Sequence, residues 1–175
     1  MSAARLSPVY LVAFLWGVGG VVVLLGRAVW KLTPLATEAI GGGLSVGQWA
    51  FFAGWMGFML YTEGYRGFQQ RFSPRVAARA MYLAENPRPL HLLLAPLFCM
   101  GYFYATRKRK IVAWALTGGI VLLVVLIRLL DQPWRGIVDA GVVGGLTWGS
   151  LATLYYGVVA MVRGEAQVEP EVPTG

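Results

Sequence analysis

The chain has 175 residues, of which 57% are hydrophobic and only 13% charged, against roughly 25% charged in an average soluble domain. A chain of one-domain length with that composition is built for lipid. Its net charge of +7 does not make it a nucleic-acid binder, because Arg and Lys stand in the gaps between apolar blocks, where anionic headgroups are met.

Cys99 is the one cysteine, which excludes an internal disulfide and any multi-cysteine metal site. The apolar blocks run to about 18–24 residues, the length that crosses roughly 30 Å of hydrocarbon at 1.5 Å per residue. The expected fold is therefore all-α: a polytopic helical membrane bundle of four to five transmembrane segments plus a short interfacial amphipathic helix, forming a single transmembrane domain over residues 1–163.

The first span is expected over about 9–30, closing on Arg27, Trp30 and Lys31 at headgroup level. It is longer than a signal-peptide core and no small-x-small site follows, so it reads as uncleaved. Pro34 and the triplet Gly41-Gly42-Gly43 predict a loop over 32–45.

The second span is expected over about 46–66, with helix-compatible sequence to Phe72. That is about 27 residues or roughly 40 Å, more than the hydrocarbon thickness, so its last turns leave the bilayer. Glu63 and Arg66, three apart, are placed to pair there. Phe51, Trp55, Phe58, Tyr65, Phe68 and Phe72 recur at helical spacing. They form either a wall for a quinone, carotenoid or lipid tail, or an ordinary face against lipid and neighbouring helices.

Ser73-Pro74 has the form of a helix start. To Glu85, Val76, Ala80, Met81, Leu83 and Ala84 oppose Arg75 and Arg79, which predicts a helix lying on the membrane surface. The third segment, 90–106, is short, begins beside His91 and carries Pro96 at its middle, so it either crosses with a kink or re-enters.

Charge separates those two topologies. If all five segments cross, the fifteen basic residues divide eight to seven; if the third re-enters, they divide eleven to four. The positive-inside rule then puts both termini in the cytoplasm. The re-entrant arrangement is preferred.

The fourth and fifth spans are expected over 111–130 and 137–162, joined by a tight turn in which Asp131 and Arg135 pair. The acidic, proline-containing tail 164–175 is expected to be disordered.

On the last span Gly141, Gly145, Gly149 and Gly157 recur at multiples of four, with Thr153 filling the gap. That is a groove of small residues for close helix packing, within the chain or with a second copy or partner subunit. Ala115 with Gly119, and Gly101 with Ala105, are shorter ridges of the same kind.

The polar candidates are Glu63, Arg66, His91 and Asp139, read as relay or catalytic groups on one hand and as topology anchors on the other. His91 is the only histidine, which excludes a bis-histidine haem within one chain and leaves zinc dependent on distant carboxylates. HExxH, P-loop and GxGxxG patterns are absent from the sequence.

No catalytic residue, metal or cofactor is expected. The expected function is a non-catalytic accessory, assembly or lipid-contacting scaffold protein of a bacterial inner membrane, N-terminus cytoplasmic. Anionic headgroups would meet Arg71, Arg75, Arg79, Arg107, Lys108, Arg109 and Lys110. The alternatives are a small transporter or channel using Glu63 or Asp139, and an interfacial lipid-modifying enzyme using His91 with Glu63.

Overall fold

The computed structural model describes residues 7–173, so Arg5 and the last two residues lie outside it. Among the described residues there are helices and no strand. Three helices are long and apolar enough to cross a membrane: α1 (Pro8–Gly41), α6 (Arg107–Ile127) and α7 (Trp134–Arg163). The others are α2 (Val46–Met59), a π-helical segment (Leu60–Phe72), α3 (Ser73–Glu85), α4 (Pro89–Leu93) and α5 (Ala95–Met100).

Helix α1 begins where local chemistry asks for it: the Ser7 side chain accepts from Tyr10 N at 3.2 Å, and Pro8 occupies the first helical position. It does not stop at Lys31. The expected loop is cut to Gly42–Ser45, and Pro34 lies inside the helix. Packing explains the extension, because Ala36 and Ala39 are buried and α7 starts against Leu35 and Ala39 at Gly136. Tertiary contact here outweighs the cost of proline and glycine in a helix. Gly43, at φ 82°, takes the left-handed turn that releases the chain. Ser45 and Gln48 then close a capping box on α2.

Helix α7 runs between α1 and the run formed by α2 and the π-helical segment. Gly136 meets Ala39 and Gly157 meets Val18, so α7 is antiparallel to α1. Gly141 meets Trp55 and Met59, Gly145 meets Glu63, Gly149 meets Phe68, and Thr153 Oγ1 lies 3.0 Å from Ser73 Oγ. Helix α7 is therefore parallel to the 46–73 run. A methyl at 145 would lie 2.7 Å from Glu63 Oε2, and one at 157 would lie 2.9 Å from Val18 Cγ1.

The steps along this seam are unequal. On α7 the positions advance by four, whereas the facing residues Glu63, Phe68 and Ser73 advance by five. Five residues of α-helix would turn the face away from α7; winding with i→i+5 bonds keeps it there, and Ser73 N donates to Phe68 O accordingly. A methyl on Gly67 would crowd Thr62 O, five residues back, at 3.3 Å. The same widening separates Glu63 from Arg66, which form no ion pair. The expected aromatic face is divided: Trp55 and Phe68 look at α7, while Phe51, Phe58 and Tyr65 are exposed.

The change of winding leaves α2 only 14 residues long, roughly 21 Å, short of the hydrocarbon thickness on its own. Helix α3 then continues without a break. Ser73 is helical at φ −62° and ψ −42° and bonds across to Thr153 instead of capping. Pro74 falls where the bond register changes, so its missing N–H is tolerated.

Nor does α3 lie on a surface. Val76, Ala77, Ala78, Arg79, Ala80, Met81, Leu83 and Ala84 are all buried, packed on α1, α5 and α7. Helices α4 and α5 fold back on the same end: a side chain at Gly20 would strike Pro96, and one at Gly17 would meet Cys99 Sγ at 2.9 Å.

The tail, expected to be disordered, is docked as far as it is described. Thr106 N donates to Glu171 O at 2.9 Å, and Ala166 and Val172 pack on the core. Helix α6 is the outlier, with Arg109, Ala113 and Ile127 its only buried residues.

Candidate functional site

Between α6 and the rest lies a cavity of about 250 Å³. Its lining on α6 is Arg109, Ala113, Leu116, Thr117 and Ile120, one stripe at helical spacing. Opposite stand Glu63, Gly67, Phe68 and Phe72 of the π-helical segment, with Leu25, Met100, Tyr102 and Leu146 completing the wall. Tyr102 and Thr117 share a hydrogen bond of 2.6 Å across it, and Thr117 also donates to Ala113 O at 2.9 Å. The walls are otherwise apolar and aromatic, as in pockets that take amphipathic molecules.

Two ionisable groups reach this space. Glu63 Oε2 is buried against the Gly145 backbone without a hydrogen-bond partner. Arg109 is 7% exposed, and its Nε likewise has no hydrogen bond. Arg109 lies in the run Arg107-Lys108-Arg109-Lys110, where sequence favours four exposed cations. Helical geometry turns the third inward with Ala113, while Arg107, Lys108 and Lys110 are exposed. Gly101, at φ 88°, makes the room: a side chain there would sit 3.0 Å from Arg109 Nε.

At this end of the cavity Glu171 Oε2 lies 3.6 Å from Arg75 Nε and 3.8 Å from Arg109 Nε. Since Arg75 follows Phe72 by less than a turn, Phe72 and Arg109 share one end. Glu63 and Ile120 then share the other.

Arg79 is not a headgroup ligand on this geometry. It is 1% exposed, and its Nε donates to Phe98 O at 2.7 Å, its Nη1 to Pro170 O at 2.8 Å, and its Nη2 to Phe103 O at 3.1 Å and Tyr104 O at 3.0 Å. The guanidinium also stacks 4.3 Å above the Phe98 ring. One side chain thus ties α3 to α5, to the turn before α6 and to the tail after α7. The flanking run Ala77-Ala78-Arg79-Ala80 carried the signal, since small residues on every side let a backbone close over a cation.

The remaining candidates are dispersed. His91 is held in an aromatic nest, its ring 5.1 Å from Phe98, 5.6 Å from Phe103 and 4.8 Å from Tyr104. Burial, and after it the charges of Arg88 and Arg79, push its pKa below the usual histidine value. It does not line the cavity that Glu63 lines. Asp139 is buried one turn into α7, with Oδ2 3.8 Å from Arg135 Nε. Arg135 therefore pairs with Asp139 across one helical turn and not with Asp131. Arg66 and Arg71 are exposed. No group of three or more potential metal ligands forms among the described residues.

The fold and the cavity thus define an all-helical chain whose three longest apolar helices are compatible with a membrane protein. Compared with known protein families, characterised proteins and solved structures, the chain matches none.

Proposed function

We propose that this chain is an integral membrane protein with four spans: α1, α2 with its π-helical continuation, α6 and α7. In this reading it is a non-catalytic, lipid-contacting scaffold. Residues 86–106 enter and leave at one end of the bundle, and both termini stand on the side carrying eleven of the fifteen basic residues, the cytoplasmic face of a bacterial inner membrane.

The observation that carries the reading is α6. Only 11% of its most apolar stretch is buried, and Ile111, Trp114, Leu116, Ile120, Val121, Leu122 and Leu126 are exposed around its circumference. A helix apolar all round and left unburied is at rest only in hydrocarbon. The cavity behind it then opens toward lipid.

The test is extraction from native membranes into mild detergent, followed by native mass spectrometry. Retention through alkaline washing with bound lipid is expected. Release by alkali, or a lipid-free monomer, would overturn the reading.

The unpartnered Glu63 Oε2 favours one second reading, a small transporter whose path passes that carboxyl. Flux through reconstituted vesicles that is unchanged in Glu63→Gln removes it.

A further inference from the structure

The tail places a carboxylate where the cavity ends. Glu171 adopts φ 49°, a left-handed conformation unusual for a residue with a side chain. It is held there by Thr106 N on its own carbonyl and by Arg79 on the carbonyl of Pro170. Its carboxylate lies on Arg75 and Arg109 at separations longer than charge-assisted hydrogen bonds, 3.6 and 3.8 Å. Arg109 is more than nine-tenths buried with an unused Nε donor, and faces a space whose walls are apolar apart from Glu63 at the far end and the Tyr102–Thr117 pair. A buried cation with an unused donor is costly unless an acceptor or an anion meets it. A loosely held carboxylate satisfies charge without satisfying the guanidinium forks.

Building on the lipid-contacting reading, we propose that the cavity is a binding site for one anionic phospholipid. Its phosphate lies between Arg75 and Arg109, where bidentate contacts replace the long carboxylate pair. One hydrocarbon chain runs from Arg109 toward Ile120 between α6 and the π-helical segment, a path of eleven residues on α6 or roughly 16 Å. Glu171 occupies the phosphate position in the lipid-free chain and competes with the lipid for it.

The experiment uses the full chain reconstituted in vesicles of equimolar phosphatidylglycerol and phosphatidylcholine. After extraction, bound lipid is counted by native mass spectrometry. Wild type is expected to carry one phosphatidylglycerol in preference to phosphatidylcholine. Glu171→Gln should raise its retention roughly threefold to tenfold by removing the competitor, and Arg109→Gln should lower it by a similar factor. Arg75→Gln, on a half-exposed side chain, serves where Arg109→Gln fails to fold, and far-UV circular dichroism monitors both.

Retention in Glu171→Gln equal to or below wild type, or equal retention of the two lipids, overturns the inference while leaving lipid contact intact. No retained lipid in any variant overturns the underlying reading as well. Inorganic phosphate that stabilises the detergent-solubilised chain against heat as much as the phospholipid does would make the site one for free phosphate and overturn the lipid assignment.

Discussion

Helices α6 and α7 are neighbours in sequence and similar in apolar character, and both carry paired glycines, yet they stand in opposite relation to the fold. A methyl group at Gly118 or Gly119 of α6 would find nothing within 4 Å, whereas Gly144 and Gly145 of α7 meet Met56 Sδ at 2.8 Å and Glu63 Oε2 at 2.7 Å. The difference lies in recurrence. A single pair of glycines leaves a gap that lipid fills, while a ladder at every fourth position runs the length of a helix and lets a second backbone lie along it. One helix is set by its neighbours; the other is set by its solvent.

The sharpest way to break this comparison is at the residue that ties both helices to the core. Arg79→Met keeps the volume and removes the donors to the turn before α6 and the tail after α7. It should cost about 3–5 kcal/mol, since buried carbonyls are left unpaired. Thermal unfolding in detergent, followed by tryptophan fluorescence, reads it; a loss under about 1 kcal/mol would mean that water replaces the guanidinium.

Gly149→Ala comes next. The new methyl would lie 2.6 and 2.7 Å from Phe68 ring carbons, so the ring must move, at about 1–3 kcal/mol. Gly118→Ala is the matched control on α6 and should be neutral or stabilise by up to about 1 kcal/mol through helix propensity. Equal effects at 149 and 118 would end the distinction between the two helices.

The smallest effect is a pH dependence at the foot of α6. Because burial depresses the His91 pKa, the unfolded chain takes up a proton that the native chain resists. Stability is then full above about 6.5 and declines as pH falls below it. His91→Leu should flatten that slope in the same unfolding measurement, and an unchanged slope would assign it to another group.

How far these features were legible in the sequence depends on their physics. The glycine ladder is a periodicity, and periodicities are visible in one dimension. The extension of α1 through Pro34 was not, because only the burial of Ala36 and Ala39 against α7 compensates the breakers. The burial of α3 was hidden by Arg75 and Arg79, which in isolation mark a headgroup face. Only the carbonyls of Phe98, Phe103, Tyr104 and Pro170 turn Arg79 inward, and they arrive from three other parts of the chain.

The cavity was half legible. Glu63 is conspicuous as an acid amid apolar sequence, whereas Arg109 is concealed in a run of four cations and is distinguished only by the stripe it shares with Ala113 and Ile120. The tail misled for a similar reason, since its acidic residues suggest solvation until Glu171 meets two arginines.

The segment from Leu60 to Phe72 works as a vernier. Two scales ruled in steps of four and five stay aligned over a limited stretch, and the residues that follow inherit whatever phase the stretch leaves behind. Deleting one residue within it would return the winding toward four and rotate everything after Ser73 by about a quarter-turn. Arg79 would then point away from its carbonyls although no residue touching it had changed. Thirteen residues thus set the angular phase of a helix that lies beyond them.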